Sequence, residues 1–440
     1  MIKSIDDRIM QLNEFLIGAA VLMLSIAAAG VAAAQETDHA ALFETLQPGL
    51  FTVEVVDRAS GNRAAQGSAF AVDPSGLLAT NYHVVSEFML HPERFRLRVR
   101  GRNGDSGALD LIAVDVLHDL ALVRLDPAEF EAEQAIRAFV LAETPPRNGD
   151  RVIALGNPWD IGISLVPGTY NGLLENQYRK NIHFTGALNP GMSGGPTVNS
   201  AGEVIGINVA GAGNSVSFLV PVERLAELLE RSGSAPGSVE ELRAGLTDRI
   251  LQHQAGMIDE LLAGDWSTEA FGPLMIPREV TPWVSCSGSS SNPDSDTPWR
   301  TSSSNCQLND RIYLSRRLDT GPVEMMFGWY ESDSLNAFQL ARVFGQISFV
   351  PFNRSSDDDV TEFECREGWI DIESLEPVPF KVSHCLRSYL DYPGLYDVLY
   401  VARAQMPGPE AVFIHYTLAG VGRDKAMEFH EHFLGSVSWK

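Results

Sequence analysis

Residues Asn189 to Pro196 read Asn-Pro-Gly-Met-Ser-Gly-Gly-Pro, and no other stretch limits what this chain can fold into as tightly. Glycines at 191, 194 and 195 let the backbone turn through conformations that side chains resist, which places Ser193 on a tight, exposed turn. Amide N–H groups of such a turn can converge on one point, the arrangement that stabilises a developing oxyanion. The motif by itself also fits an ordinary glycine turn between strands. Its chemistry therefore depends on a base elsewhere in the chain.

The segment Gly67 to Val85 reads as strand, turn, strand, with the turn at Asp73-Pro74-Ser75-Gly76. It delivers His83 just past an apolar strand. A serine hydroxyl is a poor nucleophile near neutrality unless an imidazole within hydrogen-bond reach takes its proton, so His83 is the candidate base. The imidazole in turn needs a carboxylate on its other nitrogen. Asp119 stands at the mouth of the apolar strand that follows it and is preferred; Asp115 competes but lies inside the strand-like run Leu111 to Leu117. Each residue taken singly fits a capping or surface role. The order His, Asp, Ser, each in the local context its role requires, favours catalysis.

The segments Thr80-Asn81-Tyr82-His83-Val84-Val85, Asp119-Leu120-Ala121-Leu122-Val123 and Asn189 to Pro196 together resemble the trypsin-like serine proteases, and within them the HtrA (Deg) branch. Val152 to Pro158 and Gly202 to Asn208 agree with that likeness, which covers roughly residues 45 to 230 of the chain. The resemblance implies an all-β double six-stranded barrel over residues 40–231 with the site in its cleft, and peptide-bond hydrolysis through an acyl-enzyme. By position it implies an oxyanion hole from the backbone amides of Gly191 and Ser193. It also places Ala187 at the base of the substrate pocket, with walls from Asn208, Val209 and Ala210. Lacking a carboxylate at its base, that pocket disfavours Lys and Arg and suits small or medium apolar residues.

The chain has 440 residues, 45% of them hydrophobic, enough for two or three domains with full cores. A formal net charge of −24 argues against binding nucleic acid by phosphate neutralisation. Residues Phe15 to Ala34 form an uncharged apolar run ending in Ala32-Ala33-Ala34. It reads as a signal peptide over 1–34 cleaved after Ala34, the alternative being an uncleaved membrane anchor. Either reading puts the rest of the chain outside the cytoplasm, periplasmic or secreted.

All four cysteines, Cys286, Cys306, Cys365 and Cys385, lie in the C-terminal half, and an even number in an exported chain suggests disulfides. The most local of three pairings joins Cys286 to Cys306 and Cys365 to Cys385, each loop worth about 3 kcal/mol in the chain-entropy model. No close Cys-x-x-Cys pair supports zinc. Neither metal nor cofactor is expected: Asp357 to Asp359 reads as a solvated loop, and His430 and His432 point to different sides of a helix.

After a helix through Glu223 to Arg231, residues 232–237 have the composition of a flexible linker. Residues 238–440 are then expected to form a separate disulfide-containing α+β domain of unassigned family. It opens with a capping box at Ser238 and Glu241, and the Ser-rich stretch Ser285 to Asn309 is expected to be a long stapled loop. No carboxylate-binding glycine loop of a PDZ kind opens it. Two function classes follow. The first is an exported serine endopeptidase acting on protein or peptide substrates. The second is a protease-fold binding or adaptor protein with a closed cleft. The sequence is silent on oligomeric state.

Overall fold

The computed structural model describes residues 39–440 apart from 102–103, 126–135, 212, 214, 233–237, 292–295 and 350–352. The expected leader, 1–34, and all but the first residue of the expected linker, 232–237, lie outside the described residues. A short helix α1 spans His39–Leu46.

Six strands, β1 (Leu50–Asp57), β2 (Arg63–Ala71), β3 (Leu77–Thr80), β4 (Phe95–Arg100), β5 (Ser106–Asp115) and β6 (Leu120–Leu125), close into a barrel in the order β1-β2-β3-β6-β5-β4. The sequence Phe-Arg-Leu-Arg-Val-Arg of β4 shows why. Its apolar residues alternate with arginines, and every apolar one is buried. The β2–β3 connection is the expected turn, with Gly76 at φ 93° donating its N–H to Asp73 O at 3.2 Å. Helix α2 (Tyr82–Leu90) follows β3 and carries His83 in its first turn. A second barrel is built from β7 (Arg151–Gly156), β8 (Ser164–Leu173), β9 (Ile182–Phe184), β10 (Pro196–Val198), β11 (Val204–Gly211) and β12 (Ser217–Pro221), in the order β10-β11-β12-β9-β8-β7. All pairings in both barrels are antiparallel, as the double-barrel expectation requires.

Helix α3 (Val222–Arg231) closes this part, and α4 (Val239–Leu262) opens the next with the expected capping box between Ser238 and Glu241. The two ends of α4 serve different cores. Leu246 and Ile250 are buried with the first barrel, whereas Met257, Ile258 and Leu261 are buried with the C-terminal strands. Those strands are β13 (Ser267–Phe271), β14 (Leu274–Glu279), β15 (Ser285–Ser290), β16 (Arg300–Leu308), β17 (Ile312–Tyr313), β18 (Asp319–Thr320), β19 (Val323–Glu331), β20 (Glu364–Ile370), β21 (Phe380–Ser388), β22 (Tyr396–Gln405), β23 (Glu410–Val421) and β24 (Ser438–Trp439). Seven of them form one antiparallel sheet in the order β15-β16-β19-β23-β22-β21-β20. Helix α5 (Ala337–Phe344) seats Leu340 and Phe344 beside Ala411 and Phe413 of β23. Helix α6 (Arg423–Gly435) seats Phe429 and Phe433 on the rings of Tyr416 and Phe327.

The cysteine pairs form as expected, Cys286 with Cys306 and Cys365 with Cys385. Each joins directly opposed residues of an outermost strand and its neighbour. An edge strand has hydrogen bonds on one side only, so the sheet is stapled where it is weakest. The Ser285 to Asn309 stretch is corrected from a loop to a hairpin: β15 and β16 pair in register, with serine hydroxyls bonded across at Ser289–Ser303 and Ser290–Ser302. Pairing of β16 with β19 supplies what the stretch lacks in apolar periodicity. Beyond β16, Ile312–Tyr313 pairs with Asp319–Thr320 in a short hairpin of its own. That short hairpin leaves the sheet, and Ile312, Leu314 and Leu318 join the buried cluster of the first barrel. Burial of each is worth about 2 kcal/mol.

Candidate active site

The connection between β5 and β6 places Asp119 against the first turn of α2. The Asp119 backbone is left-handed, φ 55°, an unfavourable conformation for a residue with a side chain. Four contacts hold it there. Its carbonyl accepts from Asn81 Nδ2 at 2.7 Å and Tyr82 N at 3.2 Å, its Oδ1 accepts from His83 N at 2.8 Å, and its Oδ2 lies 2.6 Å from His83 Nδ1. A carboxylate on Nδ1 fixes the neutral tautomer with its proton there and leaves Nε2 free to accept one. Burial alone would lower the His83 pKa, but the facing Asp119 charge and its hydrogen bond outweigh burial and raise it above 6.5. Asp115 is elsewhere. It is fully buried and paired with His118, Arg231 and Arg249, which overcome its desolvation and hold its carboxyl well below the usual range.

The Ser193 turn follows from two glycine requirements. A Cβ on Gly191, φ 100°, would meet Asn157 O at 2.4 Å, and one on Gly194, φ 84°, would meet Ser68 O at 2.2 Å. Both positions are closed to any side chain. The directions of the two amides can be read from the carbonyls bonded on the other side of each peptide, because a trans peptide points its N–H opposite its C=O. Pro190 O accepts from Trp159 N at 2.9 Å, which turns the Gly191 N–H away from that contact. Met192 O accepts from Gly195 N at 3.1 Å and Asn208 Nδ2 at 3.3 Å, which does the same for the Ser193 N–H. Neither amide donates to an acceptor among the described residues.

Ser193 Oγ donates to Val209 O at 2.9 Å. Among the described residues no hydrogen bond joins it to His83, so the hydroxyl is parked on β11. Asn208 was expected in the pocket wall, but its side chain is fully buried in the barrel and spans Leu155 O, Met192 O and Thr197 Oγ1. Its place is behind the turn. Ala187 is exposed, and the adjacent Gly186 O accepts from Ser217 Oγ at 2.7 Å. Ala210 continues β11 beyond Val209, paired with Phe218.

Residues the motif did not reveal hold the turn from outside. Ser68 Oγ donates to Gly191 O at 2.7 Å and accepts from Asn157 N at 2.9 Å. Trp159 and Asp160 are both left-handed, φ 52° and 61°. Arg63, at 2.7 Å, and Arg100 grip the Asp160 carboxylate and hold it below its usual pKa. Strain of this kind persists only where surrounding contacts over-determine it. The left-handed Asp119 carried no sequence signal either. From the C-terminal half, Tyr313 packs its ring against His83, and Tyr82 OH donates to Leu314 O at 3.2 Å. Arg179 joins all three parts, bonded to Leu117 O, Asp310 and Arg311 O. Among the described residues no group of three or more His, Cys, Asp or Glu side chains is placed to hold a metal ion, and no helix is long and apolar enough to cross a membrane.

Residues 67–207 match the family described as a trypsin-like peptidase domain. The chain is similar to the mitochondrial serine protease HTRA2 of Bos taurus, 31% identical over 201 residues that cover 43% of this chain and 42% of that protein. It is also similar to serine protease HTRA1 of Xenopus tropicalis, 30% identical over 211 residues, 45% of this chain and 43% of that one. A solved serine endoprotease from Yersinia pestis aligns over 43% of this chain and 64% of that chain, with 24% identity and a TM-score of 0.36. The chain thus spans about two fifths of the length of the curated relatives it matches. Residues 67–207 carry a trypsin-like peptidase domain, and the relatives the chain resembles are HtrA serine proteases.

Proposed function

From a trypsin-like peptidase domain that resembles HtrA serine proteases, we propose that the chain is an exported serine endopeptidase acting on unfolded or partner proteins. The observation that carries this reading is the His83–Asp119 pair, 2.6 Å apart, with the neighbouring Val84 and the Ser193 carbonyl both against Gly67, and Ser68 N donating to Ser193 O at 2.7 Å. In the reaction Ser193 Oγ rotates from Val209 O to His83 Nε2, gives up its proton and attacks the scissile carbonyl. Charge on the carbonyl oxygen is met by the N–H groups of Gly191 and Ser193. His83 then donates its proton to the leaving amine, and water repeats the sequence on the acyl-enzyme, with Asp119 holding the imidazolium throughout. Ala187, Val209 and Ala210 form the pocket, which favours small or medium apolar residues before the scissile bond. The two disulfides suit an extracytoplasmic setting.

The parked Ser193 hydroxyl favours a second reading, a protease-fold binding protein that keeps its cleft shut. Digestion of a permanently unfolded, reduced protein separates the two. Wild type should release peptides with new termini after small apolar residues while Ser193→Ala leaves the substrate intact. Equal, absent turnover by both would support the binding protein.

A further inference from the structure

Beyond Gly191 the cleft continues into a cavity of about 380 Å³ lined by Arg63, Gln66, Trp159, Asp160, Gly191 and Arg316. One wall is β2, another is the strained Trp159–Asp160 turn, and Arg316 arrives from the C-terminal half of the chain. The arginine is fixed in place. Its Nη2 donates to Ala64 O at 2.7 Å and its Nε lies 3.5 Å from Glu87 Oε1, while its side chain stays 59% exposed. Its Nη1 has no acceptor among the described residues. The hairpin that carries it is anchored on both sides. Leu314 and Leu318 are buried with the first barrel, and the buried Asp319 pairs with Arg311 and Arg354.

The lining is positive in a chain whose net charge is −24. Among the lining residues Asp160 is the one carboxylate, gripped by Arg63 and by Arg100 behind it, while Glu54, 3.4 Å from Arg63 Nη1, and Glu87, 3.5 Å from Arg316 Nε, stand outside the lining. The position of the cavity decides which part of a substrate meets it. With the carbonyl oxygen at the Gly191 and Ser193 amides, the acyl side runs along β11, where Ser193 Oγ touches Val209 O. The amine side then leaves across Gly191, toward Arg63 and Gln66.

We propose that Arg316, with Arg63, forms a subsite for a carboxylate on the leaving-group side of the scissile bond. The proposal rests on the protease reading. The carboxylate comes either from an acidic side chain or from the substrate's own C-terminus, and Arg316 makes the C-terminal half of the chain part of the specificity of the cleft. Guanidinium binds carboxylate through paired N–H donors, which gives direction as well as attraction.

The test uses the full chain and internally quenched peptides that share one sequence up to the scissile bond. Asp or Glu replaces Asn or Gln at each of the first three positions beyond it, with amidated ends. A second set ends at those positions with a free or an amidated terminus. Wild type should cleave carboxylate-bearing members of at least one set roughly fivefold faster in kcat/KM, the size of a partly exposed charged pair. Arg316→Ala should level that ratio, Arg316→Lys should retain part of it, and Arg316→Glu should invert it. A flat ratio in wild type, or one unchanged in Arg316→Ala, overturns the subsite while the protease reading stands. If no peptide is cleaved, fluorescence anisotropy of the same labelled peptides on Ser193→Ala decides the subsite alone: weaker binding after adding Arg316→Ala supports it, and equal binding overturns it.

Discussion

The Tyr313 ring stands edge-on to the His83 imidazole, centroids 5.9 Å apart and planes inclined at 69°. Tyr313 belongs to the C-terminal half, so the imidazole of the peptidase domain has one wall from outside that domain. Aromatic contacts of this geometry are worth about 1 kcal/mol. Tyr313→Ala is therefore expected to lower kcat/KM on a neutral peptide roughly fivefold by loosening His83. Tyr313→Phe, which keeps the ring, should restore wild-type rates; failure of that rescue would assign the loss to something other than ring packing.

The two neighbouring aspartates should separate cleanly. Asp119→Asn leaves packing intact but removes the charge on His83 Nδ1, and kcat is expected to fall by about 10⁴ with little change in thermal stability at alkaline pH, where the imidazole is neutral. Asp115→Asn should do the reverse. Its buried carboxylate serves His118, Arg231 and Arg249, so stability is expected to drop by about 2 kcal/mol while kcat stays near wild type. Paired melting and kinetic measurements on both variants check the assignment.

The pH dependence follows from His83. Its pKa is raised above 6.5 by Asp119, and only the neutral imidazole accepts the serine proton. Activity should thus be present at alkaline pH and fall as pH drops through an apparent pKa above 6.5. The ion pair behaves oppositely: its contribution to stability is complete below 6.5 and is lost as pH rises through the raised value. A kcat/KM profile with its acid limb below 6.5 would contradict this.

Gly191→Ala should cost 10²-fold or more in kcat, because the new Cβ would collide with Asn157 O and rotate an oxyanion donor out of line. Some stability should be lost with it, because the turn packs on Asn157 and buries Met192; thermal melting and single-turnover kinetics together read both outcomes.

How far the sequence could be read depended on how local each signal was. Ser193, its glycines and His83 announce themselves within a few residues, and so did the capping box at Ser238 and Glu241. Asn208 misled because a strand position beside the nucleophile looks the same whether its side chain faces the cleft or the barrel interior. The β15–β16 hairpin was opaque for another reason. Its serines carry no apolar period, and only pairing with β19 makes them a strand. Tyr313 and Arg316 gave no signal at all, since what brings them to the cleft is contact between segments as distant as Tyr82 and Leu314, 232 residues apart. The parked hydroxyl of Ser193 likewise depends on one rotamer, which no spacing of residues reports.

Labelling with a fluorophosphonate, followed by peptide mapping, tests the central claim most directly, because the reagent reacts only with a serine activated by a base. The adduct is predicted on Ser193 of the wild-type chain at pH 8, lost in Ser193→Ala and in His83→Ala. No adduct at Ser193 in the folded wild type, with unfolded protein present to open the cleft, would contradict it.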